Sequence, residues 1–337
     1  MEVCHFSLFA PNLSGLFSYV IDQIKHERKQ GIDSIFINSD VENPDPKRFN
    51  YEGIVAEPWS RALESDVWVL HRSIPAKLIP HLAKKKNLAV LHGTSSILIL
   101  HDVESNGKTK KFDMHVEFMK TFKKVVAITK SDYQIMKLYG NNVEYIADAV
   151  DMDKYDIASI QPYPFRFRPA IISTTNIRIN KHPAYLLWSI PEIRKRIPTA
   201  RLNMFGLNVA ASKPWDDLVL KSNEISNSME HYAHKFSDLR MFLAGSDISF
   251  NANYNGIFSR DSIEAMAFGN SIVATTNEHT PYVYNNHIPS IVEAVCSAWE
   301  DLKSNPEKQI RLNIDYARET FCMSKAVKKF INLYNSL

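Results

Sequence analysis

The stretch from Asp247 to Thr276 restricts the possible folds of this chain more than any other. It begins DISFN, in which apolar and polar residues alternate as they do in a half-buried strand. After a short loop, Ser259 and Asp261 offer N-cap oxygens to an amphipathic helix. Gly269 ends that helix, because glycine readily takes the left-handed conformation of the C′ position. Residues 271–276 are again rich in β-formers, so the stretch predicts one βαβ unit.

The start of this helix has the chemistry of an anion site. Unpaired amide groups and the helix dipole attract phosphate to a helix N-terminus, and Arg260 adds a full positive charge there. One turn further along, the carboxylate of Glu264 can accept hydrogen bonds from two vicinal hydroxyls of a ribose. That combination favours a nucleoside diphosphate over a bare anion. From the pattern alone, an ordinary amphipathic helix with a solvated glutamate fits equally well.

The helix sequence, IEAMAFG followed by SIVAT, resembles the donor-site helix of retaining glycosyltransferases with the GT-B fold. These form the glycogen-synthase-like and sucrose-synthase-like superfamily (glycosyl transferases group 1), with the pattern E-G-F-G-x-x-x-x-E-A-M-A-x-G-x-P-V-V-A. The matching residues are Phe258, Glu264, Ala265, Met266, Ala267 and Gly269. Gly256 stands where the family has a first glutamate, which contacts the donor sugar, and Ser259 replaces the second glycine.

The resemblance implies both a fold and a donor site. The fold implied is α/β, the GT-B fold, in which two Rossmann-like domains face each other across a cleft. The donor diphosphate is then expected on the helix that begins near Ser259, with Glu264 holding the ribose. The donor-binding residues implied are Gly15, Gly256, Ile257, Phe258, Ser259, Arg260 and Glu264.

Three further residues are implied as catalytic: His92, Arg178 and Lys181. In the family, a loop with the string G-R-x-x-x-x-K-G holds the donor diphosphate. Lys181 matches that lysine, Asn176 stands at the arginine position, and Arg178 lies two residues further on. Positive charge there would neutralise the departing diphosphate, which is the main electrostatic demand of glycosyl transfer. His92, in the string LHGT at the end of a predicted strand, resembles the family's strand-end histidine beside the donor sugar.

The opening of the chain predicts a Rossmann-like βαβ unit. A first strand leads through a loop with Gly15 to an amphipathic helix and a second strand. The single glycine does not make the G-x-G-x-x-G fingerprint of a dinucleotide site. In the resembling transferases this loop faces the cleft, which makes Asn12, Ser14 and Gly15 candidates for donor or acceptor contacts, although each fits a plain tight turn as well. His71, which ends another predicted strand, is expected to line the same cleft.

The length of 337 residues predicts two domains. The string VEYIADAVDMDKY resembles the family's inter-domain passage, V-x-V-I-P-N-G-V-D-x-x-x-F. We therefore predict an N-terminal Rossmann-like domain on the acceptor side at residues 1–150 and a linker at 151–168. A C-terminal Rossmann-like, nucleotide-sugar-binding domain is predicted at 169–320, followed by a helix at 321–337 that crosses back to the first domain.

Composition and charge favour a soluble, cytoplasmic protein. Hydrophobic residues make up 45% of the chain and charged residues 23%, with a formal net charge of +3. The three cysteines are widely separated and give neither a disulfide framework nor zinc spacing, which fits a reducing compartment. The chain begins without the basic n-region of a signal peptide, and no apolar run reaches the ~18 residues of a membrane span. We predict a cytoplasmic location and no transmembrane segment.

No metal or other cofactor is predicted, since the nucleotide sugar is a substrate. The histidines lack the H-x-x-x-H spacing of a metal-binding helix. Asp151 and Asp153 match the D-x-D string of metal-dependent glycosyltransferases of another fold. They lie, however, within the passage that resembles the inter-domain connection.

The predicted function is a glycosyltransferase, either a hexosyl- or a pentosyltransferase. It would move a sugar from a nucleoside-diphosphate sugar, expected to be a UDP-sugar, to a hydroxyl acceptor with retention of anomeric configuration. The acceptor is either a surface glycan or lipid, or a hydroxymethylated base in phage DNA. Two other functions stay open: a nucleotide-sugar epimerase of the same fold, and an inactive nucleotide-binding scaffold that has lost the first family glutamate.

Overall fold

The computed structural model describes residues 1–9, 15–71, 73–93, 98, 110–140, 142–174, 183–205, 213–233, 238–251, 257–285 and 287–337. The chain divides into two compact units, Met1–Asp151 with Phe321–Leu337 and Met152–Thr320. The linker was predicted at residues 151–168. Of these, residues 152–168 belong to the second unit and include two short 3-10 helices, Met152–Tyr155 and Ile157–Ser159.

The first unit is built on a sheet of eight strands among the described residues. These strands are β1 (Glu2–Ser7), β2 (Asp33–Asn38), β3 (Asn50–Tyr51), β4 (Ile54–Glu57), β5 (Val67–Leu70), β6 (Lys86–Leu91), β7 (Lys124–Ala127) and β8 (Val143–Tyr145). The helices that the structure describes before residue 151 include α1 (Gly15–Lys29), α2 (Trp59–Glu64), α3 (Lys111–Met119) and α4 (Lys130–Leu138), with a 3-10 helix at Ala76–Lys84.

The strand order of this sheet is β3-β4-β2-β1-β5-β6-β7-β8. All neighbouring strands are parallel except the β3–β4 pair. The direction of winding reverses between β1 and β5, as in doubly wound sheets. Such sheets bind ligands outside the carboxyl ends of their strands at this switch point.

The apolar residues of the first unit pack on both faces of its sheet, as parallel strands require. Phe17, Val20, Ile21 and Ile24 on α1 are completely or almost completely buried, as their helical spacing predicts. In β1 the residues from Val3 to Ser7 are all buried, which explains why a short apolar opening forms a central strand.

The second unit contains a purely parallel sheet with the order β11-β10-β9-β12-β13-β14 among the described residues. Its strands are β9 (Ala170–Ser173), β10 (Arg201–Phe205), β11 (Met229–Ala233), β12 (Ile248–Phe250), β13 (Ser271–Ala274) and β14 (Tyr282–Val283). Its helices are α5 (Pro183–Arg196), α6 (Lys213–Ser226), α7 (Leu239–Gly245), α8 (Arg260–Ala267), α9 (Ile288–Ser304) and α10 (Pro306–Thr320). The switch point of this sheet lies between β9 and β12.

The βαβ unit predicted for residues 247–276 is present as β12, α8 and β13. The two strands are parallel neighbours, with Ile248 opposite Ser271. Gly269 follows the C-cap residue Phe268 and has a φ of +91°, so it occupies the left-handed C′ position as predicted.

The last helix, α11 (Met323–Ser336), returns the chain to the first unit. The amide of Val150 donates to the carbonyl of Phe321, and the amide of Met323 donates to the carbonyl of Val150. Phe330 and Tyr334 on this helix are fully buried in a cluster with Val3, among other residues of the first sheet. None of the helices in the described part of the chain combines the length and apolar character that crossing a bilayer requires.

Candidate functional site

The amino end of α8 is fixed by backbone and carboxylate hydrogen bonds. The carbonyl of Ser259 accepts hydrogen bonds from the amides of Ser262 and Ile263 at 2.9 and 3.2 Å. The prediction that Ser259 and Asp261 supply N-cap side-chain oxygens is wrong. The Ser259 hydroxyl donates instead to the carboxylate of Asp261, inside the helix. A hydrogen bond to an ionised acceptor is about twice as strong as a neutral one, so this contact favours a rotamer of Ser259 in which the hydroxyl does not cap the helix.

The same carboxylate ties α8 to the neighbouring strand. Thr174, which directly follows β9, donates through Oγ1 to Oδ2 of Asp261 at 3.0 Å. Since β9 and β12 flank the switch point and α8 follows β12, this hydrogen bond holds the start of α8 at the carboxyl edge of the sheet.

Arg260 and Glu264 form a largely buried ion pair on α8. Nε of Arg260 lies 3.1 Å from Oε1 of Glu264, and their side chains are 9% and 18% exposed. A cation in the first turn opposes the helix dipole, at a cost of a few tenths of a kcal/mol to about 1 kcal/mol. The pair thus does little for the helix itself, but it places a guanidinium at the helix start and orients a carboxylate one turn away. The glutamate is not simply solvated.

Ile257 and Phe258, the two residues before the N-cap residue Ser259, are held by other side chains of the second unit. Asn251 donates through Nδ2 to the carbonyl of Ile257 at 3.0 Å. Phe258 is buried and its ring meets that of His279 edge to face, at 5.1 Å between centroids. Nδ1 of His279 is in turn 2.9 Å from the hydroxyl of Tyr316. Phe258 therefore anchors the backbone that enters α8.

In the first unit, His92 follows the carboxyl end of β6, as predicted. Its Nε2 lies 3.2 Å from Nδ1 of His71, which follows β5, and its ring meets that of Tyr19 at 5.0 Å. The next residue, Gly93, has a φ of +76° and donates its amide to Oδ2 of the buried Asp132 at 2.7 Å. Gly15 is exposed and begins α1.

Several predicted site residues lie outside the described residues: Gly256, Arg178 and Lys181 of the donor and catalytic sets, and the candidates Asn12 and Ser14.

The sequence reasoning missed two polar residues beside the predicted site. His5, in the middle of β1, and Glu27, on α1, are both completely buried and lie 2.8 Å apart between Nε2 and Oε2. The signal available in the sequence was a histidine within an apolar strand and a glutamate on the buried face of a helix.

Solved structures similar to this chain identify its fold. A glycosyltransferase from Rickettsia africae superimposes with a TM-score of 0.71 at 14% sequence identity, over 99% of this chain and 98% of the other. Sucrose-phosphate synthase from Thermosynechococcus elongatus gives 0.75 at 12% identity, over 99% and 98%. HepE from Anabaena, solved with UDP and glucose, gives 0.74 at 13% identity over the full length of both chains. The chain has the GT-B fold.

This GT-B assignment confirms the predicted fold class and, at the level of the fold, the resemblance seen in the sequence of α8. No family model and no curated protein matches the sequence. The two switch points, at β1 and β5 and at β9 and β12, are accordingly the two places in this GT-B chain where a ligand is expected.

Proposed function

We propose that this chain is a glycosyltransferase that moves a sugar from a UDP-sugar to a hydroxyl acceptor. A fold alone does not determine an activity, so the proposal depends on the site. The observation that carries it is the buried Arg260–Glu264 pair at the start of α8, beside the switch point of the second sheet. The neighbour HepE, which was solved with UDP and with UDP-glucose, supports a UDP-sugar as the donor.

Each residue of the pair has a distinct task in this proposal. The helix amides and the Arg260 guanidinium attract the diphosphate. The Glu264 carboxylate, already oriented through Oε1, accepts hydrogen bonds from the 2′- and 3′-hydroxyls of the ribose. Arg178 and Lys181 are proposed to neutralise the diphosphate as it departs, and His92 is proposed to contact the donor sugar.

The reaction itself is proposed to retain the anomeric configuration. The bond between the anomeric carbon and the diphosphate oxygen breaks, and a bond from the acceptor oxygen forms on the same face. The acceptor's proton passes to the departing diphosphate. The anomeric coupling constant of the product in a proton NMR spectrum tests this stereochemistry directly.

The acceptor is proposed to be a glycan or lipid hydroxyl. The net charge of +3, from 40 basic and 37 acidic residues, is far from the strongly basic balance that duplex DNA binding usually needs. Weak binding to duplex DNA at low salt is therefore expected. Tight binding that falls steeply as salt increases would instead favour a hydroxymethylated DNA base as the acceptor.

A ligand comparison tests the role of Glu264. Wild-type protein should bind UDP about 10- to 100-fold more tightly than 2′-deoxy-UDP, because a hydrogen bond to a charged group is worth about 1.5–3 kcal/mol. Glu264→Gln should weaken UDP binding and abolish most of that preference. Glu300→Gln, which removes an exposed carboxylate paired with Lys303 in the same unit, is the matched control.

The other open functions give different results in the same experiments. Conversion of a UDP-sugar into another sugar nucleotide without an acceptor would identify an epimerase. Failure of calorimetry to detect any nucleoside diphosphate at millimolar concentration would identify a scaffold and overturn the proposal.

Transfer is further proposed to need no resident metal ion, because Arg178, Lys181 and Arg260 supply the positive charge. Within the described residues, no three or more His, Cys, Asp or Glu side chains are grouped so that they could hold a metal ion. Activity that persists in EDTA is expected, and loss of activity that Mn²⁺ restores would contradict this part of the proposal.

A further inference from the structure

Three imidazoles and one carboxylate form a continuous hydrogen-bonded chain in the first unit. Oε2 of Glu27 lies 2.8 Å from Nε2 of His5, and Nδ1 of His5 lies 3.0 Å from Nε2 of His71. Nδ1 of His71 then lies 3.2 Å from Nε2 of His92. We call this set, Glu27, His5, His71 and His92, the histidine chain.

The sheet topology aligns the histidine chain with the switch point. His5 lies within β1, His71 follows β5 and His92 follows β6, and these three strands are consecutive neighbours in the sheet. The rings of His5 and His71 are within 23° of parallel, and those of His71 and His92 within 42°. The histidine chain therefore runs from Glu27, on the buried face of α1, to the carboxyl edge of the sheet, where a ligand is expected.

The inner end of the histidine chain is the completely buried carboxylate of Glu27, which is surrounded by hydrogen-bond donors. Oε1 of Glu27 accepts hydrogen bonds from the Tyr334 hydroxyl at 2.7 Å and from Nε2 of Gln23 at 2.9 Å. The hydroxyl of Ser34 donates to Oε2. Burial raises the pKa of Glu27, but the charge of His5 and the hydrogen bonds from His5, Ser34 and Tyr334 outweigh it and lower that pKa. The hydrogen bonds that Ser34 and Tyr334 donate to this carboxylate favour its ionised form.

The middle imidazole of the histidine chain, that of His71, is held in its neutral form. His71 is 4% exposed, and burial, followed by repulsion from His5 and His92, lowers the pKa of His71 well below its usual value. A neutral imidazole carries one N–H and one lone pair, so His71 donates to one neighbouring ring and accepts from the other.

With Glu27 ionised and both His71 and His92 neutral, two proton arrangements satisfy all three hydrogen bonds. In the first, His5, His71 and His92 each carry a hydrogen on Nε2 and donate it toward Glu27, which leaves a lone pair on Nδ1 of His92. In the second, His5 is an imidazolium paired with Glu27, while His71 and His92 each carry their hydrogen on Nδ1. The two arrangements differ by one proton.

We propose that the histidine chain is a proton relay, in which Glu27, His5 and His71 set the tautomer of His92 and exchange a proton through it. A proton that arrives at Nδ1 of His92 releases the Nε2 proton of His92 to Nδ1 of His71. The Nε2 proton of His71 then passes to Nδ1 of His5. One proton enters, and its charge comes to rest on His5 beside the Glu27 carboxylate.

This inference rests on the proposed function, because the relay can take part in catalysis only if the donor sugar binds beside His92. In one arrangement Nδ1 of His92 accepts a hydrogen bond, and in the other it donates one. His92 can thus take a proton from a sugar hydroxyl and return it without holding an imidazolium next to the reacting carbon. His5, His71 and Glu27 are positioning residues, because they act through His92.

In the described part of the protein, further titratable groups near the histidine chain come from three helices. Tyr19 on α1 packs against the rings of His71 and His92, and Tyr334 on α11 donates to Glu27. Burial and then the charge of Glu27 raise the pKa of Tyr334 well above its usual value, so Tyr334 remains a donor. Beyond His92, the carboxylate of Asp132 on α4 accepts from the Gly93 amide.

Nitrogen NMR of the ¹⁵N-histidine-labelled full-length protein tests the relay directly. The ring nitrogen shifts distinguish the two neutral tautomers from the imidazolium, and single His→Phe variants assign the signals. We expect His5, His71 and His92 to share one titration midpoint. Below it, His71 and His92 carry Nδ1 hydrogens and His5 alone is an imidazolium. Three separate midpoints, or an imidazolium on His92 with no change at His5, would overturn the relay.

Two substitutions and a control strengthen this test. Glu27→Gln keeps an acceptor oxygen but removes the charge, so the shared midpoint should fall by at least about one pH unit, a tenfold loss of proton affinity. Tyr334→Phe removes one hydrogen bond to the same carboxylate and should move the midpoint far less. His71→Phe interrupts the chain, and in that background Glu27→Gln should no longer alter the titration of His92. An undiminished effect would contradict a relay through His71.

Activity measurements separate this inference from the proposed function. The pH profile of kcat/KM for the sugar donor should follow the NMR midpoint, and both should move together in Glu27→Gln. A profile that stays in place while the NMR midpoint moves would remove the relay from the reaction. Absence of any activity with UDP-sugars would overturn the proposed function, while the NMR titration still decides whether the relay exists.

Discussion

Gly269 and Ile310 are in such close contact that a Cβ atom on Gly269 would lie 2.6 Å from Cγ2 of Ile310. Gly269 also has a φ of +91°, which side-chain-bearing residues rarely adopt. Two independent constraints, backbone conformation and contact with α10, thus meet at the residue that ends α8. The position of α8 depends on both.

Gly269→Ala should therefore destabilise the protein by about 2–5 kcal/mol, combining about 1–2 kcal/mol for the left-handed conformation with about 1–3 kcal/mol for overpacking. Thermal and urea unfolding measure this loss. Gly53→Ala is the matched control, because Gly53 has a φ of +80° but a Cβ atom added to it would have nothing within 4 Å. Equal losses in the two variants would show that the contact with Ile310 costs nothing.

The sequence predicted α8 and its flanking strands because the signals are local. Gly269 ends the helix within two residues of its last helical position, Ala267, and the apolar spacing indicates the buried face. The role proposed for Glu264 depends likewise on its distance along the helix, and it stays a prediction. The prediction of the cap failed because the hydroxyl of Ser259 is turned towards the carboxylate of Asp261, and residue types alone do not determine that rotamer.

The histidine chain was beyond sequence reasoning because its contacts are not local. His5 and His71 are 66 residues apart, and His71 and His92 are 21 apart. They meet only because β1, β5 and β6 are neighbours in the sheet, and that order is a property of the whole doubly wound topology. His92 was found by its position at a strand end, whereas Glu27 had no comparable signal.

Asp151 has a structural partner, and this bears on the D-x-D string. Its Oδ1 lies 3.0 Å from Nε2 of His26, and both side chains are at least 90% buried. Asp151→Ala should cost about 1–3 kcal/mol of stability, because it leaves a buried imidazole nitrogen without this acceptor. Asp153→Ala, at an exposed position, should change stability by less than about 0.5 kcal/mol. An equal loss of Mn²⁺-dependent activity in both variants would instead indicate a metal site.

Tyr284 should make the protein sensitive to alkaline pH. Its hydroxyl donates to the carbonyl of Asn251 at 3.0 Å, and burial raises the pKa of Tyr284 well above its usual value. The folded phenol stays protonated where the unfolded one ionises. Its contribution to stability is therefore complete below about pH 10 and is lost as pH rises from there towards the folded pKa.

Tyr284→Phe should accordingly lose about 0.5–1.5 kcal/mol at pH 7, for the missing hydrogen bond. Above pH 10 its stability should fall less steeply than that of the wild type, by up to about 1.4 kcal/mol per pH unit. Urea unfolding between pH 7 and 11 gives both curves, with Tyr139→Phe as a control for removing an exposed phenol. Parallel curves for wild type and Tyr284→Phe would contradict the assignment.

Arg260 should discriminate between ligands by their phosphate content. Its Nε is engaged with Glu264, but a guanidinium has five N–H donors and keeps its full charge at the helix start. Arg260→Gln should weaken UDP binding about 10- to 100-fold, UMP binding less, and uridine binding least, because only the phosphates use its charge. Calorimetry with the three ligands measures the series. Arg196→Gln, which breaks an exposed pair with Glu293 in the same unit, is the control. Equal losses for UDP and uridine would mean that Arg260 acts only by orienting Glu264, and the diphosphate would then have to depend on the helix amides and the loop cations alone.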